Sequence, residues 1–273
     1  MPNTGEHAAV VRVAAVGDLH CGRTDQGALR PLLASVSAAA DVLLLCGDLV
    51  DHGQAEEARV LARELAATGV PVVAVLGNHD FEAGKEEEIT AILTDVGVRV
   101  LDGQSCEING LGIAGVKGFG GGFGTHALGA WGEPAIKAFV HAALDEALKL
   151  ETAMSQLRVP TRVALLHYSP IAATIVGEAP EIFPFLGSSR LEEPINRYGV
   201  VAVFHGHAHA GSPEGRTSTG IPVYNVSVPL LQRLYADRPP FRVFEIPLAD
   251  PDAASDARVG AQSAPTGAAL STS

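Results

Sequence analysis

The chain has 273 residues, of which 47% are hydrophobic and 18% are charged, and a chain of this size can bury a large core. Its formal net charge of -12 disfavours long nucleic acid as a partner, because tight binding to a phosphate backbone needs clustered Lys and Arg side chains. Three cysteines without regular spacing, no signal peptide at residues 1–18 and no apolar run long enough to span a bilayer favour a cytoplasmic protein without membrane contacts.

Apolar runs alternate with helical patterns in the first hundred residues. The runs are 10–16, 42–46 and 70–76, and they are typical of strands that are buried on both faces. The helical patterns are at about 25–39, 54–67 and 85–95. Strands and helices in alternation predict a mostly parallel sheet with helices outside it.

The pattern changes after residue 98. Two turn signals, Asp102-Gly103 and Asn109-Gly110, predict tight hairpins in a β-meander. Residues 134–157 predict one long helix with Pro134 in its first turn. Four further strands are expected at 163–167, 200–204, 220–228 and 241–248. Because no linker interrupts the chain, we expect a single domain over 1–249 and a disordered tail over 250–273.

Polar side chains that bind metals follow each strong strand. They are Asp18 and His20, Asp48 and Asp51, Asn78 and His79, His167, and finally His205, His207 and His209. The carboxyl ends of parallel strands lie at one edge of a sheet, which would bring these side chains together. Carboxylate, imidazole and amide ligands without thiolate suit Mn, Fe or Zn. The number of ligands exceeds the need of one ion and suits two ions that share a carboxylate.

The segments "GDLH", "GDLVD", "GNHD", a lone histidine after a strand and "GHAH" resemble, in this order, the signature of calcineurin-like metallophosphoesterases. Each segment alone would be weak, whereas the ordered set is specific and spans residues 18 to 207. The resemblance implies an α/β fold, a four-layer αββα sandwich with two central mixed β-sheets. It also implies a dinuclear metal centre at one edge of the sheets.

The resemblance further implies a ligand set that shares Asp48. One ion would be held by Asp18, His20, Asp48 and His207. The other would be held by Asp48, Asn78, His167 and His205, so that Asp48 bridges the two ions.

The same resemblance assigns the chemistry. A hydroxide between the ions would attack phosphorus in line with the leaving oxygen. His79 would protonate that oxygen or stabilise its charge, and the carboxylate of Asp51 would orient His79, unless Asp51 is only a loop cap. Asp80 is expected to accept backbone N–H bonds in the turn after the third strand.

His52 bears on the choice of substrate. It stands where phosphoprotein phosphatases of this superfamily carry an arginine, and an imidazole cannot reproduce the bidentate grip of a guanidinium. We therefore favour hydrolysis of a small phosphodiester, such as a nucleotide, over a phosphomonoesterase or protein phosphatase. A non-catalytic, metal-stabilised interaction module would be marked by a lost ligand, and no ligand of the signature is missing.

The glycine-rich loop 115–133 is the predicted specificity element. Its Phe119, Phe123 and His126 either contact the substrate or pack on the following helix, and the sequence leaves both open. His209 has no ligand role in the assignment, and we expect an exposed residue or a neighbour of the ligands in preference to a substrate contact. The stretch 168–190 could form the opposite wall of the site or a homodimer contact.

Overall fold

The computed structural model describes residues 9–249, so the predicted tail 250–273 lies outside the described residues. The strands are β1 (Val10–Val16), β2 (Val42–Cys46), β3 (Val72–Val75), β4 (Arg99–Val100), β5 (Gln104–Ile108), β6 (Leu111–Gly115), β7 (Arg162–Leu165), β8 (Ala202–His205), β9 (Glu214–Arg216), β10 (Pro222–Asn225) and β11 (Arg242–Pro247). The α-helices are α1 (Arg30–Ala39), α2 (Ala55–Leu65), α3 (Glu86–Asp95), α4 (Pro134–Gln156), α5 (Phe183–Leu186), α6 (Glu192–Tyr198) and α7 (Val228–Leu234).

The strands form two mixed sheets. The first has the order β11-β1-β2-β3-β4, with β11 antiparallel to β1 and the other neighbours parallel. The second has the order β5-β6-β7-β8-β10-β9, in which the four central strands are parallel and each edge strand is antiparallel to its neighbour. The parallel strands of both sheets supply the loops that carry the site.

The period-2 alternation of β2 shows how the layers pack. Leu43 and Leu45 pack in one core with residues of α1, α2 and α3, whereas Leu44 and Cys46 pack in a second core against residues of the other sheet. On the far side of the second sheet, Met154 of α4 packs in a third core. The order helix, sheet, sheet, helix confirms the predicted four-layer αββα sandwich.

Most predicted elements agree with the structure, but the predicted β-meander is wrong, because the four central strands of the second sheet are parallel. Asp102-Gly103 does not form a hairpin, since β4 and β5 belong to different sheets. Two further details are instructive. The hairpin between β5 and β6 turns at Asn109 and Gly110, whose φ angles of 53° and 82° suit a type I′ turn. Helix α1 begins at Arg30, later than predicted, because the Asp25 carboxylate accepts the N–H of Gly22 and Gly27 has a left-handed φ of 86°. No helix among residues 9–249 is long and apolar enough to cross a membrane.

Candidate metal centre

The candidate ligands lie in loops that follow β1, β2, β3, β7 and β8, so both sheets contribute to the site. Asp18, Asp48 and His167 are almost completely buried. A buried carboxylate is costly unless a partner offsets its desolvation. The buried carboxylates of Asp18 and Asp48 therefore require positively charged or hydrogen-bonding partners.

The backbone of these loops is strained at the candidate ligands. Asp18, His20, Asp48 and His207 have φ angles of 60°, 45°, 47° and 68°. A left-handed conformation costs a non-glycine residue roughly 1–2 kcal/mol. Strain of this kind is typical of functional sites, because the surrounding structure must hold it in place.

Two glycines allow the loops to approach the carboxylates closely. A Cβ atom at Gly77 would overlap the Asp48 carboxylate and backbone nitrogen. A Cβ atom at Gly206 would overlap the Asp18 carboxylate. Both positions therefore require glycine for reasons of space.

Three hydrogen-bond acceptors meet around His167. Its Nδ1 donates to the backbone oxygen of Cys46 at 2.8 Å, so in the tautomer that can bind a metal the lone pair is on Nε2. That Nε2 lies 2.9 Å from Oδ1 of Asn78 and 3.4 Å from Oδ1 of Asp48. A cation between these lone pairs would satisfy all three atoms, which is the behaviour of a metal site.

His207 joins this group. Asp48, His167 and His207 each offer a ligand atom, and these atoms all lie within 4.8 Å of one another. Nε2 of His207 donates to the backbone oxygen of Phe185 at 3.1 Å, which leaves its Nδ1 free as a ligand.

A second group forms around Asp18, His20 and His209, whose ligand atoms also lie within 4.8 Å of one another. Nε2 of His209 is 2.9 Å from Oδ1 of Asp18. Nε2 of His20 is 3.8 Å from Oδ2 of Asp48, is buried and has no hydrogen-bond partner among the described residues. Since Oδ1 of Asp48 faces the first group and Oδ2 faces this one, Asp48 stands between them.

The structure corrects the assignment of His205. This residue ends β8 and is fully buried, with Nδ1 donating to the Gly206 oxygen at 2.8 Å and Nε2 accepting from Thr174 Oγ1 at 2.9 Å. Both ring nitrogens are thus occupied away from the candidate ligands. The chain turns at Gly206, and His207 and His209 take the positions expected for His205 and His207. The segment "GHAH" covers residues 206–209, and its own histidines already indicated this pair.

Burial and pairing set the protonation of the histidines. Burial lowers the pKa of His207 to about 3 and also lowers the pKa of His20, so both are neutral and available as ligands near neutral pH. The hydrogen bond with Asp18 raises the pKa of His209. Burial opposes ionisation of Asp18, but the histidines around it outweigh burial and lower its pKa.

His79 lies beside the second group. Its Nδ1 donates to the backbone oxygen of Asp51 at 2.7 Å, and its backbone N–H donates to Oδ1 of Asp48 at 2.8 Å. The expected contact with the Asp51 carboxylate is therefore made by the Asp51 backbone. That carboxylate instead lies 3.4 Å from Nδ1 of His20 and 3.5 Å from Nε2 of His52. The Asp51 carboxylate is thus a neighbour of His20, a candidate ligand.

Asp80 accepts a backbone N–H bond in the turn after β3, as predicted, and it also connects this turn to the loop after β2. Its carboxylate accepts the backbone N–H groups of Gly77 at 2.7 Å, Val50 at 2.9 Å and Leu49 at 3.0 Å. Burial raises the pKa of Asp80 to about 7, against the effect of these donors.

The predicted substrate contacts have different surroundings. Phe119 packs on Phe139 of α4 with ring centroids 4.9 Å apart, and it also lines the cavity beside Asn78 and His207. Phe123 packs against the small apolar cluster of Ile175, Leu186 and Ala208. His126 and His52 are exposed. Phe119 thus packs on the following helix, which is one of the two alternatives, whereas the cluster that Phe123 joins contains no residue of that helix.

Comparison with known proteins gives a family and a fold. A family model described as calcineurin-like phosphoesterase matches residues 11–211. No curated protein matches the chain. The phosphopantetheinyl hydrolase of Mycobacterium tuberculosis is similar in structure, with 17% identity, a TM-score of 0.61 and coverage of 85% of this chain and 95% of that one.

Two further solved structures are similar. The protein TT1561 of Thermus thermophilus has 16% identity and a TM-score of 0.52, over 86% of this chain and 99% of that one. A putative 5'-nucleotidase of Staphylococcus aureus has 12% identity and a TM-score of 0.52, over 80% of this chain and 48% of that one. At these identities the similarity concerns the fold alone.

Proposed function

The chain belongs to the calcineurin-like phosphoesterase family, and we propose that it is a metal-dependent hydrolase of a small phosphodiester. The observation that carries the proposal is the position of Asp48, whose two oxygens face two separate groups of acceptors. Two adjoining cation sites with a common carboxylate are the arrangement used for in-line attack on phosphorus.

The two groups fit hard to borderline divalent ions such as Mn, Fe or Zn, because they offer carboxylate, imidazole and amide donors. One ion would be held by Asp48, Asn78, His167 and His207. The other would be held by Asp18, His20, Asp48 and His209. When bound, the ions would activate water and neutralise phosphoryl charge.

His79 is the candidate general acid. Since its Nδ1 proton is held by the Asp51 oxygen, Nε2 is the atom that exchanges a proton with the substrate. Burial lowers the pKa of His79, but the hydrogen bond to Asp51 and the nearby carboxylates outweigh burial and raise it. A raised pKa keeps the ring protonated in a larger share of molecules near neutral pH.

We expect His79→Ala to retain metal and to turn over slowly, most visibly with poor leaving groups. General acid catalysis contributes about 10²–10⁴-fold, and activated leaving groups need it least. The check is kcat for esters of alcohols of increasing basicity. Equal loss for all esters would remove His79 from protonation of the leaving group.

The surroundings of His52 support a diester. Its side chain is 64% exposed, with Nε2 3.5 Å from Asp51 and Nδ1 3.9 Å from Glu82. Placed between carboxylates, it cannot grip the additional charge of a phosphomonoester as an arginine fork would. A diester carries less charge and needs no such cation.

The test compares bis-4-nitrophenyl phosphate with 4-nitrophenyl phosphate on manganese-loaded protein, with Asp48→Asn as the inactive control. We expect a higher kcat/KM for the diester. A strong preference for the monoester would contradict the diester assignment. If metal-loaded protein turned over neither ester, the proposal of an enzyme would fail in favour of a metal-stabilised interaction module.

A further inference from the structure

An apolar groove of about 480 Å³ opens directly beside the candidate metal centre. Asn78 and His207 form its polar end. Its walls are formed mainly by Phe119, Phe139, Tyr168, Ile182 and Phe185. Because two candidate ligands line the groove, a molecule that binds an ion through its phosphoryl group can place its organic part there.

The aromatic wall is held by one of those ligands. The ring of Tyr168 lies 4.4 Å from that of His207, and Phe119 lies 5.8 Å from Tyr168. Phe139 continues the series, 4.9 Å from Phe119 and 5.9 Å from Phe185. The backbone oxygen of Phe185 accepts the Nε2 proton of His207, so the series of contacts both begins and ends at His207. The wall and the ligand therefore support each other's position.

The outer rim of the groove exposes large apolar side chains. Phe185 is 59% exposed and Ile182 is 41% exposed. None of the described residues that line the groove is Lys, Arg, Asp or Glu. Such a surface gains free energy by covering apolar groups.

We propose that the groove binds an alkyl or aryl ester group of the substrate, so that the substrate is a phosphoester with an apolar organic part. This inference rests on the proposed function, since the phosphoryl group must bind at the metal centre. The volume lies within the range of about 300–1,000 Å³ that is usual for small-molecule sites. On this proposal, an organic group binds more tightly as the apolar area that it buries in the groove increases, and charged organic groups bind poorly.

The test measures binding of n-alkylphosphonates from methyl to hexyl to the manganese-loaded full chain by titration calorimetry. These probes carry one organic group and are not hydrolysed. A fully buried methylene strengthens binding about fourfold. For an open groove we expect about twofold per methylene, or roughly 30-fold between methyl and hexyl.

The matched variants are Phe185→Ser in the groove and Leu148→Ser as control, because Leu148 is 58% exposed on α4 and does not line the groove. We expect the hexyl-to-methyl affinity ratio to fall at least threefold in Phe185→Ser and to stay unchanged in Leu148→Ser. Metal content, measured in parallel, shows whether His207 still holds its ion.

The outcomes separate the two proposals. If methylphosphonate binds but chain length has no effect, the groove proposal fails and the phosphoesterase proposal stands. If Phe185→Ser keeps the full chain-length effect, the alkyl group binds elsewhere and the groove proposal also fails. If no phosphonate binds to metal-loaded protein, the groove proposal fails, and the comparison of the two nitrophenyl esters decides the phosphoesterase proposal separately.

Discussion

The two carboxylate oxygens of Asp48 face different imidazoles. The polar atoms buried around this residue make the site unfavourable in free energy. Nε2 of His20 is buried 3.8 Å from Oδ2 of Asp48 and has no hydrogen-bond partner among the described residues. A buried polar atom without a partner costs about 1–3 kcal/mol. The protein therefore maintains an arrangement that is unfavourable by itself and that a cation would stabilise.

The histidines of "FHGHAH" give the first prediction. His209→Gln should lose metal. Removing a residue that only hydrogen-bonds to a ligand lowers metal affinity about 10–100-fold, and we expect a larger loss for His209→Gln because His209 is itself a candidate ligand. His205→Gln should keep its metal, because both of its ring nitrogens bind protein atoms. The measurement is metal content after gel filtration of folded protein. Metal loss in His205→Gln with retention in His209→Gln would reverse the ligand assignment.

The burial of His205 also predicts a dependence of stability on pH. Burial lowers its pKa from the ordinary 6.5 to about 4 in the folded protein. Between these pH values the imidazole is protonated in the unfolded chain and neutral in the folded protein. The contribution of His205 to the free energy of unfolding is therefore fully present above pH 6.5 and is lost as the pH is lowered towards 4. The loss from this residue is of the order of 3 kcal/mol.

Urea denaturation of metal-free protein at several pH values tests this dependence. His207 also titrates in the wild type, so the quantity of interest is the difference from His205→Gln, which cannot titrate at this position. We expect the variant to lose less stability on acidification. Identical pH profiles would show that His205 takes up its proton equally in both states.

At the scale of the elements, the loops after β2 and β3 are joined by the Asp80 carboxylate, which holds Asn78 and Asp48 near each other. Asp80→Asn offers one acceptor oxygen in place of two and points an amide N–H₂ at N–H donors. Because the Asp80 carboxylate accepts three backbone N–H groups, we expect a loss of about 2–4 kcal/mol of unfolding free energy.

The control for this prediction is Asp95→Asn, at the exposed end of α3, which should change stability by less than about 0.5 kcal/mol. Urea denaturation measures both variants. Equal stability of Asp80→Asn and the wild type would mean that the loops do not depend on this carboxylate.

At the scale of the whole molecule, much of the architecture could be predicted because strand and helix periodicity reflects the layers directly. The alternation of β2 between two cores is one example, and the polar residues at strand ends are another. The prediction of the site was inaccurate where the chain leaves its regular strands and helices. The segment "GHAH" indicated His207 and His209, but strand periodicity alone does not show that the chain turns at Gly206 and leaves His205 buried in β8. The sequence also could not show that Asp51 contacts His79 through its backbone. The groove was also unpredictable, since Phe139 and Phe185 meet only through tertiary packing.

The whole fold also has a direct test, because the candidate ligands come from both sheets. Asp18, Asp48 and Asn78 follow strands of the first sheet, and His167 and His207 follow strands of the second. A metal that binds only the folded protein stabilises it by about 2.7 kcal/mol at about 100 times its Kd. For a domain of this size that corresponds to a rise of about 5–10 °C in Tm.

The decisive measurement is therefore manganese titration of chelator-treated protein, with Tm and phosphoester turnover recorded on the same samples. We expect both to rise together in the wild type and neither to respond in Asp48→Asn. The metal centre described above would be contradicted by either of two results. One is full hydrolysis of phosphoesters by the wild type after chelation, and the other is a wild-type Tm that does not change when manganese is added.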